Sequence, residues 1–533
     1  MGDGGKGDGN LGGGDKAGGQ QSLGKGGGKQ ADGQKGGGDG GKGGSQLGIT
    51  PRATDYAAWY QDLVLKGELA DYSPVRGCMV VRPYGWSLWE RIRDIFDRFF
   101  KETGHQNAQF PLFIPMSFLA KEASHVEGFA KECAVVTHYR LKAGANGIEP
   151  DPESKLDEPL IVRPTSETII GAMYAKWVQS WRDLPILINQ WANVVRWEMR
   201  TRLFLRTTEF FWQEGHTAHE TEQEAREETL KMIEVYRKVA EEYLAMPVLV
   251  GQKSAAERFA GAVETWCIEA LMQDGKALQA GTSHFLGQNF AKAFEIEFAG
   301  RDGQRQNAWT TSWGVSTRLI GGLVMTHSDD KGLVMPPRLA PIQAVVIPIW
   351  RKDEEKAAVA SYVDGFVAKL KAAGVRVHVD DREQFKPGYK FNDWELRGVP
   401  LRLEVGPRDV AAGKCVLARR DGGEKQIVDV AGLETRLPEL LEQIQAALFA
   451  KAKAFRDASI HRARTYEELV KTLEEKGGFV LAPWDGDAAV EAKVKEECKA
   501  TIRCIRAEDA GESAPAIGTG QPTTQWVLFA KAY

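Results

Sequence analysis

The stretch that decides the fold reads Arg196-Trp-Glu-Met-Arg-Thr-Arg-Leu-Phe-Leu-Arg-Thr-Thr-Glu-Phe-Phe-Trp-Gln-Glu-Gly-His216. It predicts two β-strands joined by a loop. Strand side chains alternate between the two faces of a sheet, so one face of the second strand carries Thr208, Phe210, Trp212, Glu214 and His216. Arg196 and Glu198 share a face on the first strand. A core hairpin with charged edges is the alternative, but these charges lie on the same face as the aromatic rings, which a solvated edge does not need.

The loop between the two strands is basic. It carries Arg200 and Arg202, and Arg196 and Arg206 bracket it. One surface of the sheet would then offer guanidinium groups for phosphates, an aromatic ring for a flat base, and a Trp–Glu–His cluster for something small and polar. The pattern therefore predicts a ligand-binding face.

Length and composition indicate a multidomain protein without membrane segments. The chain has 533 residues, enough for roughly three or four domains. Its formal net charge is −4, so a nucleic-acid partner must be met by a local basic surface. Six cysteines are scattered without a C-x-x-C motif, which is typical of reduced thiols in the cytosol. The sequence lacks an apolar run of about 18 residues and a secretory signal, so we expect a cytoplasmic protein.

Residues 1–48 differ from the rest of the chain. About half of them are Gly, with Lys, Asp and Gln between and almost nothing apolar. Such a composition buries too little surface to offset the entropy of ordering, so we predict a disordered tail.

The first long helix is expected at 87–103. Ser87 and Glu90 have the spacing of a capping box, and apolar residues follow at helical intervals. An apolar strand punctuated by proline, 108–116, comes next. The pair could serve a subunit interface or a plain core.

Three shorter segments carry polar groups at element ends. Arg163–Thr168 turns from a strand into a helix, where Thr165 and Ser166 could simply be N-cap residues. Gln279–Phe285 reads as a strand with Thr282 and His284 on one face, although a lone His is usually structural. The run 308–325 reads as strand, turn and helix, with Ser316 or Thr317 as the cap. Arg318 falls in the first helical turn, where a cation is unfavourable unless an anion binds there.

Pro336, Pro337 and Pro341 mark a stiff boundary, after which strands and helices alternate over about 100 residues, as in a small α/β domain. This part contains a basic loop, Phe385–Lys390, and a predicted helix at Asn392–Arg397. Pro438–Ala454 is predicted to be helical, with the proline at the first position. A last domain follows.

The motifs taken together resemble those of a known family. There is no P-loop, nucleophile elbow or H-E-x-x-H motif. Arg196-x-Glu, a loop and Arg206-x-x-x-Phe210 resemble motif 2 of the class II aminoacyl-tRNA synthetases. Ser316-Thr-Arg318 resembles motif 3, and the segment 87–115 resembles motif 1, the dimer motif. Within this class, five further segments resemble prolyl-tRNA synthetases of the archaeal and eukaryotic type: Thr165-Ser-Glu167, Trp-Gln-Glu-Gly-His216, Gly-Thr-Ser-His284, Lys-Pro-Gly-Tyr-Lys390 and the terminal Tyr533.

This resemblance implies a fold class of α/β (α+β): an antiparallel-sheet class II catalytic core, a small α/β anticodon-binding domain and a C-terminal α+β domain. The domains expected are a Gly-rich tail at 1–48, the catalytic domain at 49–338, the anticodon-binding domain at 339–447 and the C-terminal domain at 448–533.

The resemblance also implies a reaction and a set of site residues. The chain would activate L-proline with ATP and Mg²⁺ and pass it to tRNA(Pro), as a homodimer. Arg196 and Arg318 would be catalytic. Proline would be bound by Thr165, Glu167, Arg196, Trp212, Glu214, His216 and His284. ATP would be bound by Arg196, Glu198, Arg206, Thr207, Thr208, Phe210, Gln279, Thr282, Ser316 and Arg318. Gln279 does not share a face with Thr282, so a local bulge or turn must bring both to the site.

By the same resemblance, tRNA would be bound by Lys386, Lys390 and Arg397. Basic side chains in a loop suit splayed single-stranded bases. A solvated charged face is the alternative interpretation of these residues.

Two departures from the family pattern matter. The family's C-terminal domain often holds zinc through four cysteines, whereas here Cys498 and Cys504 have no second pair, so we predict no zinc. The bacterial type carries a large editing insertion between motifs 2 and 3. Here the gap from His216 to Ser316 reads as one long helix and short elements, so we expect the type without that insertion.

Two rival interpretations remain open at this stage. Threonyl- and glycyl-tRNA synthetases share the architecture, but the pocket set Thr165, Glu167, Trp212, His216 and His284 contains no metal-binding Cys/His group for threonine. A non-catalytic, synthetase-like RNA-binding protein would be expected to lose Arg196, Phe210 or Arg318, and all three are present.

Overall fold

The computed structural model describes residues 48–121, 133–145 and 147–533. The predicted tail therefore lies outside the described residues, except for Gly48. None of the described helices has the length and the apolar run that crossing a membrane requires.

The first part of the chain is mixed helix and strand. In chain order its elements are α1 (Tyr56–Lys66), β1 (Ala70–Tyr72), β2 (Met79–Val81), α2 (Pro83–Glu102), β3 (Gln106–Asn107), β4 (Phe113–Pro115), α3 (Met116–Lys121), β5 (Val135–His138), β6 (Leu141–Gly144), β7 (Gly147–Pro150), β8 (Lys155–Val162), α4 (Glu167–Trp177), β9 (Ile186–Val195), β10 (Glu209–His219), α5 (Glu222–Glu242), β11 (Val248–Gln252), β12 (Glu264–Leu271), β13 (Ala277–Gly287), α6 (Asn289–Phe294), β14 (Glu297–Ala299), β15 (Arg305–Asn307), β16 (Trp309–Ser316) and α7 (Arg318–His327).

The remaining elements follow the proline-rich boundary. They are β17 (Ala344–Pro348), α8 (Asp353–Ala372), β18 (Val377–Val379), α9 (Pro387–Leu396), β19 (Leu401–Val405), α10 (Pro407–Ala412), β20 (Lys414–Arg419), β21 (Gln426–Asp429), α11 (Leu433–Ala458), β22 (Ile460–Arg462), α12 (Tyr466–Glu475), β23 (Phe479–Pro483), α13 (Ala488–Cys498), β24 (Ala500–Ile505), β25 (Ala514–Pro515), β26 (Pro522–Thr523) and β27 (Trp526–Lys531).

An 11-stranded sheet dominates the fold, in the order β22-β23-β27-β24-β11-β12-β13-β16-β10-β9-β3. The central strands from β11 to β9 pair antiparallel, and β10 lies between β9 and β16. This confirms the antiparallel core. The predicted hairpin is present, but its first strand ends at Val195, so Arg196 and Glu198 belong to the loop.

Helices α2 and α5 cover one face of this sheet. α5 begins where the sequence predicts, because Thr221 and Glu224 form a reciprocal capping box. The apolar face of α2, including Leu88, Ile92 and Phe96, is buried in the same core as residues of α5. The structure therefore supports the interpretation that the apolar face of α2 packs in a core.

The small α/β domain has its own five-stranded sheet, in the order β18-β17-β19-β20-β21. β17 pairs parallel with β18 and β19, as a strand joined to its neighbours through helices must. Helices α8 and α11 contribute buried side chains to the core of this domain.

The C-terminal strands do not form a sheet of their own. β24 pairs with β11 at Gln252 and Ile505, so β22, β23, β27 and β24 extend the central sheet. The continuous helix α11 also spans the boundary expected at 447/448. The C-terminal α+β part is thus structurally continuous with the catalytic core.

Several predicted element bounds are wrong. α2 begins at Pro83, which places Ser87 inside the helix rather than at its cap. The strand expected at 108–116 is reduced to β4, and α3 begins directly after it. α11 begins at Leu433, so Pro438 lies within the helix. Pro83 explains the earlier start of α2, because proline is favoured at the first helical position. A start signal read from the sequence therefore does not by itself fix the first residue of an element.

Candidate active site

A cavity of about 300 Å³ opens on the face of the central sheet formed by β10, β13 and β16. Alternation along β10 brings Phe210, Trp212, Glu214 and His216 to its wall, as the sequence predicts. Twelve of the predicted proline- and ATP-site residues line the cavity: Thr165, Glu167, Arg196, Phe210, Trp212, Glu214, His216, Gln279, Thr282, His284, Ser316 and Arg318.

One end of the cavity is acidic. Glu214 is buried, and its carboxylate accepts hydrogen bonds from Ser166 Oγ and from Gln190 Nε2, the latter at 2.8 Å. His216 Nε2 lies 3.1 Å from the other carboxylate oxygen. Burial lowers the pKa of His216, but the hydrogen bond and charge of Glu214 outweigh it and leave the pKa raised. The pair is therefore a buried ion pair.

Thr165 and Glu167 lie beside this pair, at the start of α4. Thr165 Oγ1 donates a hydrogen bond to the Glu167 carboxylate. The N-cap residue of α4 is Ser166, but its side chain does not cap the helix, because it bonds to Glu214 instead. Ser166 is thus the N-cap residue by position, as the sequence allows, but the side chains of Thr165 and Ser166 bond to carboxylates of the cavity instead of capping the helix.

His284 forms the opposite wall. Its Nδ1 lies 2.9 Å from Thr265 Oγ1, and its ring packs on Phe259 with the centroids 4.6 Å apart. Burial lowers the pKa of His284 to about 3, so this imidazole is neutral at neutral pH. The pKa of His216 is shifted in the opposite direction, so the two imidazoles of the cavity differ in their tendency to carry a proton.

Arg196 lies between the acidic end and the sheet aromatics. Its Nε donates to the carbonyl oxygen of Pro164 at 3.0 Å. Its guanidinium carbon lies 5.7 Å from the centre of the Phe210 ring and 5.3 Å from that of Trp212. Both contacts orient the guanidinium, because the cation is attracted to the ring faces.

Arg318 marks the other end of the cavity. Ser316 Oγ accepts the Arg318 backbone N–H at 3.2 Å, and Arg318 Nε donates to the Leu205 carbonyl at 3.1 Å. Burial, with the charges of Arg196 and Arg206, lowers the pKa of Arg318 to about 10. Clustered cations at a helix start are unfavourable without an anion, so this end is suited to phosphate groups.

The bulge that the sequence requires at Gln279 is present. Ile268 pairs with Gly281 and Glu269 pairs with Gln279, so Ala280 is the extra residue in β13. The extra residue shifts the alternation by one position, which brings Gln279 to the cavity together with Thr282.

Four predicted ATP-site residues do not line the cavity. Arg206 is exposed, and its Nε lies 3.1 Å from the Glu198 carboxylate. Thr207 and Thr208 are buried in the fold, and Gly77 packs against the Thr208 hydroxyl. The loop folds back on itself here, so the alternation of β10 does not extend to these positions.

The sequence analysis missed several lining residues: Glu257, Phe259, Thr265 and Ser312. Ser312 is 2% exposed, and its Oγ has no hydrogen-bond partner among the described residues. A buried hydroxyl without a partner on a cavity wall is suited to a ligand. Counting by twos back from Ser316 along β16 would have found it, whereas Glu257 and Phe259 lie in a loop without such a period.

The predicted tRNA-contacting residues are placed unequally. Lys386 is exposed. Lys390 is 3% exposed, and its Nζ donates to the Asp380 carbonyl at 2.9 Å, so its burial argues against contact with RNA. α9 begins at Pro387 and carries Lys390 inward, which is why the loop interpretation fails. Arg397 is half-buried and pairs with Glu68 of the catalytic part at 2.7 Å.

In the described ranges, 48–121, 133–145 and 147–533, no three His, Cys, Asp or Glu side chains are grouped to hold a metal ion. Cys498 and Cys504 are both buried. That the C-terminal part binds no zinc stays a prediction.

Comparison with known proteins identifies the family. The chain is 57% identical to the proline–tRNA ligase of Flavobacterium johnsoniae over 91% of this chain and 99% of that protein. The chain belongs to the proline–tRNA ligase family. It is also 58% identical to the proline–tRNA ligase of Cytophaga hutchinsonii, over 90% of this chain and 99% of that protein.

Domain and structure comparisons agree with this family. Residues 149–327 match the tRNA synthetase class II core domain (G, H, P, S and T), 343–440 the anticodon binding domain, and 466–533 the prolyl-tRNA synthetase C-terminal domain. A crystal structure of prolyl-tRNA synthetase from Cryptosporidium parvum, complexed with halofuginone and AMPPNP, superposes with a TM-score of 0.86 at 40% identity, covering 92% of this chain and 100% of that one. The class II fold and the ligase activity expected from the sequence are confirmed.

Proposed function

We propose that the cavity on β10, β13 and β16 is the site where this ligase activates L-proline with ATP, before the prolyl group passes to the 3′ end of tRNA(Pro). The observation that carries the proposal is the polarity of the cavity. Its acidic end holds Glu167 and Glu214, and its cationic end holds Arg318, with Arg196 between them. An amino acid and a nucleotide triphosphate need these charges in this order.

Proline carries a secondary ammonium, a carboxylate and an apolar ring. Glu167 and Thr165 are placed to bind the ammonium by a charge-assisted hydrogen bond. Trp212 and His284 would bound the ring. Glu214 contacts His216 Nε2 and so fixes its ring, so that the two side chains together shape the pocket.

ATP, as its Mg²⁺ complex, would occupy the other half. Phe210 offers a ring face to the adenine, and Arg318 would contact the terminal phosphate. Gln279 and Thr282 line the same half of the cavity. The Cryptosporidium parvum relative was crystallised with AMPPNP, an ATP analogue, which supports nucleotide binding by this fold.

The reaction needs no protein nucleophile. A carboxylate oxygen of proline attacks the α-phosphorus, a new oxygen–phosphorus bond forms, and pyrophosphate leaves from the opposite side. Arg196 would bridge the proline carboxylate and the α-phosphate, and so hold the two reactants together while offsetting the developing charge. Positioning and charge stabilisation therefore account for catalysis, as in other phosphoryl-centred reactions.

The anticodon-type domain would bind tRNA through its exposed basic side chains. Lys386 fits this role, whereas the pairing of Arg397 with Glu68 makes it a contact to the catalytic part. We propose the four domains expected from the sequence. Helix α11 is then shared between the anticodon-binding domain and the C-terminal domain.

A homodimer is proposed from an exposed apolar face. Leu112, Phe113 and Met116 lie near β4, and Val135 lies on β5 of the same three-stranded sheet; each is at least 36% exposed. An exposed cluster of this kind marks an interface more often than a solvated surface. A second copy of this chain is the proposed occupant, and light scattering on the purified protein tests it by mass.

We also propose that the chain lacks the editing insertion. Between β10 and β16 the chain forms α5, β11, β12, β13, α6 and one short hairpin, β14–β15, which leaves no room in sequence for a further domain. The relatives named above are bacterial and align with this chain over 99% of their own length, which is what we expect if they share its lack of an additional domain. A pocket without editing discriminates against the smaller alanine by only about 10–200-fold.

We also propose a cytoplasmic location, because charging tRNA for protein synthesis is a housekeeping role.

Amino-acid-dependent exchange of labelled pyrophosphate into ATP tests the proposed substrate. Run with proline, alanine, cysteine, threonine and glycine, it should be strongest with proline. Strong exchange with threonine or glycine would keep the fold and overturn the substrate, and absence of exchange with all five would favour a non-catalytic RNA-binding protein.

A further inference from the structure

One wall of the cavity is a loop, residues 253–263, between β11 and β12. Glu257 and Phe259 of this loop line the cavity. The Phe259 N–H donates to Thr265 Oγ1 at 3.1 Å, and the same hydroxyl lies 2.9 Å from His284 Nδ1. The loop backbone is thus linked through one hydroxyl to the neutral imidazole of the pocket.

The C-terminal part of the chain also contacts this loop. Ser254 Oγ donates to Glu491 of α13 at 2.6 Å, and Lys495, one turn further along α13, lies 2.9 Å from the Glu257 carboxylate. At the loop's start, Lys253 Nζ donates to the Arg503 carbonyl of β24 at 2.9 Å. Three positions of the loop, Lys253, Ser254 and Glu257, therefore bond to elements more than 200 residues away in sequence.

We propose that Glu491 and Lys495 are positioning residues for the amino-acid pocket, acting through Ser254 and Glu257 on the wall that carries Phe259. This inference rests on the proposed function of the cavity. It assigns to the C-terminal domain a part in amino-acid binding, in addition to its packing on the sheet.

The Ser254–Glu491 contact differs from an ordinary surface pair because both residues are buried. Ser254 is 2% exposed and Glu491 is 4% exposed. A buried carboxylate is unfavourable unless it is hydrogen-bonded, so the Ser254–Glu491 contact has one strongly preferred geometry. Ser254 Oγ also accepts the Glu257 N–H at 3.3 Å, so the hydroxyl fixes the turn that presents Glu257 and Phe259 to the cavity.

Steady-state pyrophosphate exchange on the full chain tests the proposal with three variants. Glu491→Ala removes the acceptor of the Ser254 hydroxyl. Glu491→Gln keeps an acceptor oxygen for the Ser254 hydroxyl in a side chain of the same length. Glu497→Gln is the matched control, since Glu497 lies on the same helix but contacts Tyr466 within the C-terminal part.

We expect Glu491→Ala to raise the KM for proline about three- to tenfold, the effect of one lost buried hydrogen bond, with the KM for ATP within twofold of wild type. For Glu491→Gln and Glu497→Gln, the KM for proline and the KM for ATP should both stay within twofold of wild type. Equal effects of Glu491→Ala and Glu497→Gln, or a parallel rise in both KM values, would overturn the proposal.

A second variant keeps the test valid if Glu491→Ala does not fold. The Lys495 side chain is 61% exposed, so Lys495→Met should leave stability unchanged. It should raise the KM for proline and not that for ATP, and Lys495→Arg should restore the wild-type value. Wild-type exchange with proline is measured in the same series, so failure of the proposed function would be seen separately from failure of this inference.

Discussion

Replacing Glu269 by Gln should destabilise the protein strongly, because Glu269 is the single carboxylate between two buried cations. Glu269 is fully buried on β12. Lys253 Nζ lies 2.7 Å from it, and Arg503 Nη2 and Nε donate at 2.9 and 3.2 Å. Glutamine keeps the shape but removes the charge, which leaves two cations unpaired in a low dielectric. Breaking such a buried pair costs about 3–5 kcal/mol.

The pH dependence of this loss has a definite sign. Burial would raise the pKa of Glu269, but the charges of Arg503 and Lys253 outweigh it and lower the pKa. A carboxyl group with a lowered folded pKa contributes stability that is present above its unfolded pKa, about 4.3, and is lost as the pH falls through the folded value. The difference between wild type and Glu269→Gln should therefore be full at pH 7 and shrink below about pH 4.3.

Guanidinium chloride unfolding followed by circular dichroism measures this difference. The matched control is Glu442→Gln, since Glu442 pairs with Arg338 at 2.7 Å while its side chain is 57% exposed. We expect the free energy of unfolding of the control to fall by less than about 1 kcal/mol. If the free energy of unfolding of Glu269→Gln falls no further than that of the control, the carboxylate does not stabilise the buried cluster and the prediction is wrong.

Three further substitutions test the cavity. Burial opposes the Glu214–His216 ion pair, yet the pair lowers the pKa of Glu214 and raises that of His216. Glu214→Gln should therefore lose most thermal stability between about pH 4.3 and 6.5, and the loss should shrink as the pH rises through the raised pKa of His216; a loss independent of pH would contradict the pairing. Gly215→Ala places a Cβ 2.1 Å from the Trp313 ring, so it should lower the free energy of unfolding by about 1–3 kcal/mol, and an unchanged melting temperature would contradict this contact. Phe210→Ala should raise the KM for ATP about tenfold by removing a base-stacking surface, with the KM for proline unchanged; equal rises in both would remove Phe210 from the adenine site.

Much of the cavity follows from local sequence, because strand alternation is a local property. Counting by twos along β10 predicts the four residues that the structure places on the wall, from Phe210 to His216. The family resemblance assigns Gln279 and Thr282 to one site, and their mismatched faces then predict a local bulge or turn, which the structure shows as a bulge at Ala280. The residues of β10 thus follow from the period of a strand, whereas the bulge also needs the resemblance.

What the sequence does not reveal depends on distant partners. The sequence predicts Lys390 to be an exposed loop residue, whereas in the structure its side chain is buried and donates a hydrogen bond to the carbonyl oxygen of Asp380, which follows β18. The union of β24 with β11 similarly depends on pairing between segments about 250 residues apart. The loop at 253–263 has no periodic pattern, so its place in the cavity wall becomes visible only in the folded chain.

The most direct test of the central claim is proline-dependent pyrophosphate exchange in Arg196→Ala. Arg196 is the one cation between the acidic and the phosphate ends of the cavity among its lining residues. Arg182→Ala, at an exposed arginine that contacts Trp181, is the matched control. If Arg196 joins proline to ATP, exchange with proline is strong in wild type and in the control, and it is lost in Arg196→Ala. Exchange at the wild-type rate in Arg196→Ala would contradict the claim that this cavity joins proline to ATP.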